Sequence, residues 1–134
     1  MMHINSPRTD DDSVEQEIRS KGLSGPRIAP EDIEATIASE HYFTAAEGFL
    51  GHAWANTLDA RGIKPPAPLE LLTICVLTLR NGYTIVGHSA CASPQNFDAT
   101  IGRKIARQNA TQQIWPLLGY ALKNVLAFQG QRHS

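Results

Sequence analysis

The chain has 134 residues, 42% hydrophobic and 19% charged, with a net charge of -1. That length gives one domain with a modest core, and the mix is that of an ordinary globular protein. A nearly neutral total excludes a molecule whose overall field gathers nucleic acid or coats a membrane.

Residues 1–28 read as a flexible tail. "NSPRTDDDS" and "KGLSGPR" supply charge and turn formers, too little apolar surface to offset the entropy of ordering them. At most a single helical turn is expected around Ser13–Ser20. A globular domain is expected over 29–128, followed by a short tail at 129–134. Pro30 suits a first helical position, and Glu31 and Asp32 then favour the helix dipole. With Ile33 and Ile37 four apart, the spacing predicts a helix from Pro30 to His41. Phe49, Leu50, Trp54 and Leu58 suit a short helix that Gly48 and Gly51 interrupt, and "IKPPAP" is a stiff extended linker.

"LLTICVLTLRNGYTIVGHSA" predicts a β-hairpin around Asn81-Gly82, a pair suited to a two-residue type I′ turn. That turn sets Leu79 opposite Thr84, Leu77 opposite Val86 and Cys75 opposite His88. One face then carries Cys75, Leu77, Leu79 and Val86, the other Ile74, Val76, Tyr83 and Ile85. Because both are apolar, cover is expected on both sides.

After the hairpin, Ser93 or Asn96 is the expected cap of a helix with an apolar stripe of Phe97, Ile101 and Ile105. Arg103, Lys104 and Arg107 occupy a neighbouring arc, with Ala99, Ala106 and Ala110 beyond. From Ile114 the apolar spacing shifts to Leu117, Leu118, Ala121, Leu122 and Val125, so a kink or break is expected near Asn109–Pro116. The fold class is α+β: an N-terminal helix, a central hairpin, and two C-terminal helices, the second kinked near Pro116.

Charge is unevenly spread. Residues 29–60 hold six acidic residues and no Lys or Arg, whereas 61–134 hold eight basic residues against Glu70 and Asp98. The opposite signs can attract each other or leave the second half free for anions. Two cysteines, Cys75 and Cys91, make no disulfide framework. With no apolar leader and no stretch long enough to span a bilayer, a soluble protein of the cytoplasm is expected.

The segment Ser89–Arg107 is the principal candidate site. A turn leading into a helix N-terminus offers unpaired N–H groups and positive potential to an anion. Ser89, Ser93 and Asn96 add polar groups, and Arg103, Lys104 and Arg107 add charge for phosphate oxygens. Tyr83 or Trp115 supplies a ring on which a base stacks. The competing explanation is a capped helix with a solvated basic face. No phosphate-loop or dinucleotide-binding glycine motif is present.

For metal, Cys75, His88 and Cys91 lack a fourth ligand by spacing, and buried thiols beside a hydrogen-bonded histidine are the simpler expectation. For catalysis, Ser89/His88 and Cys91/His88 can be drawn as nucleophile and base, but strand neighbours point to opposite faces. Glu40, His41 and Glu47 make an acid–base group only if brought together. No cofactor is expected. The two-faced hairpin and the alanine stripe favour self-association, with a dimer as the default.

The blocks "EHYFTAAEG", "LTLRNGYTIVGHSACASPQNFDATIGRKIARQNA" and "IWPLLGYAL" resemble the gene-product-49-like family of small tailed-phage and prophage proteins, over about residues 28–126. The resemblance implies a non-structural accessory protein of a phage, acting in the host cytoplasm. Relatives carry an acidic residue where this chain has His88, and a Glu where it has Gln95. The expected function is non-catalytic: an accessory protein, anti-defence in role, that binds or sequesters a phosphate-bearing nucleotide-type ligand. The alternative is a phage protein that docks on a host protein or nucleic acid through its hairpin and basic helix. Three cations release few counterions, which makes nucleic acid the weaker partner.

Overall fold

The computed structural model describes residues 7–133. The elements run α1 (Pro7–Ser20), α2 (Pro30–Thr36), β1 (Ile37–Thr44), α3 (Ala45–Asn56), β2 (Leu72–Leu79), β3 (Thr84–Ala90), α4 (Ala99–Gln112) and α5 (Ile114–His133). Short 3-10 turns at Ala67–Leu71 and Pro94–Asn96 lead into β2 and out of β3. The strands form one antiparallel sheet in the order β1-β2-β3, and α4 lies on one of its faces. The architecture is α+β, with a strand that helical periodicity concealed.

That strand is β1. The helix expected over Pro30–His41 ends at Thr36, after Pro30 opens it and the Asp32 carboxylate accepts the Ala29 N–H at 2.8 Å. From Ile37 the backbone is extended and pairs with β2, with an irregularity in register between Ile37 and Ser39. "HYFT" is rich in aromatic and β-branched residues that pack well on a pleated sheet. Hydrogen bonding to the central strand outweighs the helical spacing of Ile33 and Ile37.

Thr44 ends β1 and caps α3. Its hydroxyl accepts the Glu47 N–H at 3.1 Å, and the Glu47 carboxylate accepts the Thr44 N–H at 2.8 Å. This reciprocal cap starts a helix that runs unbroken through Gly48 and Gly51, although each glycine costs about 1 kcal/mol relative to alanine.

The hairpin forms where expected, with its register moved by one. Leu77 lies opposite Ile85, Val76 opposite Val86, Cys75 opposite Gly87 and Ile74 opposite His88. The Leu79 N–H donates to the Tyr83 carbonyl at 2.8 Å, so three residues, Arg80, Asn81 and Gly82, make the loop. Gly82 has φ +90°, and among the described residues no non-glycine has positive φ. A type I′ turn needs positive φ at both central residues, and Asn81 instead accepts the Tyr83 N–H on its side chain. A one-residue slip exchanges faces. The buried side is therefore Thr73, Cys75, Leu77, Leu79, Ile85, Gly87 and Ser89, while Val86 joins Ile74 and Val76 on the other. Only one face lies under a helix along its length, and Val86 is exposed.

Helix α4 covers the buried side through Gly102, Ala106 and Ala110, its three buried residues at steps of four. A Cβ at Gly87 would stand 2.3 Å from the Ala106 carbonyl oxygen and 2.4 Å from the Ala110 nitrogen, so helix and strand meet backbone to backbone. The stripe expected to face the core does not do so, for Ile101 is exposed and Phe97 and Ile105 are half-buried. Of the alanines expected to serve self-association, Ala106 and Ala110 instead build the core with Ile33, Cys75, Leu77, Leu79, Ile85 and Ile114, while Ala99 is exposed. Two side-chain amides of this region also occupy carbonyls of β3: Asn109 donates to His88 at 2.9 Å and Gln113 to Val86 at 2.8 Å. They occupy backbone acceptors on a strand that ends the sheet.

Gln113 separates α4 from α5, which places the expected break within 109–116, and Pro116 sits in the first turn of α5. There its missing N–H has no intrahelical partner to lose. At the other end, α1 is a 14-residue helix where at most one turn was expected. Glu15 anchors it, accepting from Arg27 at 2.6 Å and Arg19 at 2.8 Å. The Arg27 hydrogen bond, against the cost of burial and aided by Arg19, holds Glu15 below the ordinary carboxylate value. Gln112 of α4 donates to Asp11 of α1 at 2.7 Å.

Candidate functional site

Four segments converge on a cleft of about 340 Å³ at one end of the sheet. It is lined by Tyr42, Phe43 and Thr44 from the end of β1, Glu47 from the first turn of α3, Thr73 from β2, and Phe97, Ala99 and Arg103 at the start of α4. Antiparallel pairing sets Thr44 opposite Thr73, and that pairing brings the N-terminal ends of α3 and α4 to the same place. The volume falls within the range of small-molecule sites.

Thr73 is 3% exposed, and its hydroxyl is the buried side-chain polar atom without a hydrogen-bond partner among the described residues. Leaving a hydroxyl unsatisfied costs about 1–3 kcal/mol. A Cβ at position 102 would come within 2.8 Å of that oxygen, so glycine in α4 keeps room for it. Arg103, one residue along, is exposed and forms no hydrogen bond or ion pair with a described residue. Across the cleft, Glu47 is held by its capping bond to Thr44. Aromatic wall is supplied by Tyr42, Phe43 and Phe97. The Tyr42 hydroxyl donates to Glu40 at 2.8 Å, and burial together with this bond raises its pKa, so it stays protonated.

The basic trio divides. Arg107, one turn beyond Arg103, donates to both oxygens of Glu34 at 2.7 and 3.1 Å and to Glu40 at 3.2 Å. Those partners, Glu34 foremost, raise its pKa further above an already high value. Lys104 is exposed outside the cleft. Trp115 lines a small separate recess with Arg107, and Tyr83 lies exposed beside the hairpin loop. Ser89 is buried on the helix-facing side of β3. Ser93 donates to Gln95, and Asn96 belongs to a three-residue turn. The cap of α4 is neither of these but Asp98, which accepts the Ile101 N–H at 3.0 Å. The structure thus brings Arg103 to the cleft and leaves the other seven expected residues outside it.

The metal and catalytic pairings separate in the same way. Cys75 points into the core, where burial raises its pKa, while His88 pairs with Ile74 on the opposite face. Ser89 and His88 likewise occupy opposite faces. Glu40 is engaged by Arg107 and Tyr42, whereas His41 meets Ser39 at 3.1 Å on the other side of β1.

Nothing in the residue spacing marks Tyr42, Phe43, Thr44 or Thr73 as site residues. One signal was available: "TAAE" at 44–47 has capping-box spacing, which starts a helix at Ala45 and frees the residues before it for a strand. Nothing comparable marks Thr73, whose position matters only because Gly102 comes to lie against it.

Fold and cleft together define a small α+β domain with a ligand-sized opening where two helix N-termini meet the end of a sheet. The chain belongs to the Phage protein (N4 Gp49/phage Sf6 gene 66) family, whose model matches residues 28–126. The matched segment contains every residue that lines the cleft. Comparison with the curated proteins and with the solved structures gave no match. Among the described residues, no helix is long and apolar enough to cross a membrane.

Proposed function

We propose that this phage-family protein is a non-catalytic accessory protein that binds a small phosphate-bearing ligand of nucleotide type in the Thr73–Arg103 cleft. The observation that carries the reading is the unsatisfied Thr73 hydroxyl beside an arginine that pairs with none of the described residues. A bound oxygen satisfies the hydroxyl and removes its cost, and the guanidinium forms charge-assisted bonds to phosphate. The rings of Phe43, Phe97 and Tyr42 offer a base the stacking surface that the sequence had assigned to Tyr83 or Trp115. Sequestering a nucleotide signal of host defence, in the host cytoplasm, is the role that such a site gives a phage product.

A thermal-shift screen against mono-, di- and cyclic nucleotides and inorganic phosphate at low salt tests this. One ligand is expected to stabilise the fold saturably, by about 2.7 kcal/mol at a hundred times its Kd, and Arg103→Ala is expected to abolish the effect. Unchanged melting across the panel rejects the reading. The alternative, nucleic acid on the basic face of α4, is weakened by the engagement of Arg107 with Glu34 and Glu40. Two remaining cations release still fewer counterions than three.

A further inference from the structure

Glu47 and Arg103 line the same cleft, yet Arg103 forms no hydrogen bond or ion pair with a described residue. A carboxylate and a guanidinium held apart in this way make opposite demands on whatever lies between them. On the Arg103 side stand the unsatisfied Thr73 hydroxyl and the Phe97 ring, the latter 3.9 Å from where a Cβ at position 102 would be. On the other side, a Cβ at Gly48 would stand 3.6 Å from the Phe43 ring. An exposed aromatic surface therefore lies beside the Glu47 position.

One oxygen of Glu47 accepts the Thr44 N–H at 2.8 Å, and no described residue occupies the other. An ionised carboxylate accepts and never donates, with about four lone-pair sites, so most of its capacity is left for a ligand. The capping bond also orients the group before a ligand arrives, which lowers the cost of using it.

We infer that Glu47 reads the base of the bound nucleotide and selects guanine. The inference rests on the nucleotide reading proposed above and adds to it the identity of the base. Guanine presents two adjacent donors, its ring N–H and its 2-amino group, which match the two oxygens of a carboxylate as a planar pair. Adenine and cytosine each set a lone-pair nitrogen beside the amino group, and uracil flanks its one N–H with two carbonyls. All three turn a lone pair toward a carboxylate oxygen. A ribose diol also donates to carboxylates, but the Phe43 ring beside Glu47 provides the flat surface on which a base stacks. With the base on Phe43 and against Glu47, the phosphate falls to Arg103 and Thr73 across the cleft.

Titration calorimetry of the full chain at low salt tests the inference with matched guanine and adenine nucleotides: 5′-monophosphates, 5′-diphosphates and 3′,5′-cyclic monophosphates. Glu47 is exposed and water competes for it, so a preference for guanine of about tenfold is expected. Inosine monophosphate, which lacks the 2-amino group, is expected between the guanine and adenine forms. Glu47→Gln keeps a residue suited to the reciprocal cap and is expected to bind nucleotide with the preference lost. Equal affinity within a matched pair, with binding still abolished by Arg103→Ala, overturns the choice of base and leaves the nucleotide reading standing. A guanine preference that survives Glu47→Gln overturns the role of Glu47. Absence of binding by every nucleotide overturns both readings together. If Glu47→Gln fails to fold, the inosine comparison on the wild type still decides, since equal binding of the inosine and guanosine monophosphates contradicts a carboxylate reading both donors.

Discussion

Arg103 and Arg107 stand one turn apart on α4, with the same chemistry and the same spacing from the helix's buried residues. Their surroundings differ because α2 and β1 bring Glu34 and Glu40 into ion pairs with the second, while the first pairs with no described residue and Glu47 across its cleft is engaged in capping α3. Arg107 ties the acidic first half of the chain to the basic second half. Arg103 is left beside an unsatisfied hydroxyl in an open cleft. A basic helix face is therefore not one functional unit. What each cation does is set by the acidic residues that topology carries to it, and helical periodicity contains no information about those.

The sharpest way to break the comparison is to lift the helix that carries both residues. Gly87→Ala forces a methyl into the backbone of Ala106 and Ala110, with an expected loss of about 3 kcal/mol or more, measurable by urea denaturation. Arg107→Ala removes the ion pairs that join the acidic half to α4 and leaves two carboxylates adjacent. A loss of about 1 kcal/mol is expected from this partly exposed network, with ligand response intact. Thr73→Val works in the opposite direction. Deleting the unsatisfied hydroxyl is expected to stabilise the free protein by about 1 kcal/mol, a rise of roughly 3–5 °C in melting temperature, while reducing the ligand-induced shift. A destabilised Thr73→Val protein would show instead that the hydroxyl has a role in the fold.

How far the sequence discloses the molecule varies by residue. The Asn81-Gly82 pair announces a hairpin, yet the register depends on whether the loop has two residues or three, and of that pair Gly82 alone takes positive φ. That choice moved Ile85 to the core and Val86 to the surface. β1 was hidden because Ile33 and Ile37 satisfy a helical spacing that tertiary pairing overrules. In α4 the bulky Ile101 and Ile105 drew attention away from the small residues that face the sheet. Bulk predicts burial only when helix and sheet keep a normal separation, and Gly87 abolishes that separation. Of the cleft, Arg103 was legible as a basic residue near a helix start. Thr73 was not, since "LTICV" shows neither that its hydroxyl is buried nor that Gly102 lies against it. The family blocks were legible as a unit, and their span agrees with the matched residues.

One paired experiment bears most directly on the division between the two arginines: melting temperatures of wild type, Arg103→Ala and Arg107→Ala, each with and without the nucleotide panel. Arg107→Ala is expected to melt lower and keep the full ligand increment, whereas Arg103→Ala is expected to melt like wild type and show none. No increment in the wild type, or an increment that survives loss of Arg103 and vanishes with Arg107, contradicts it.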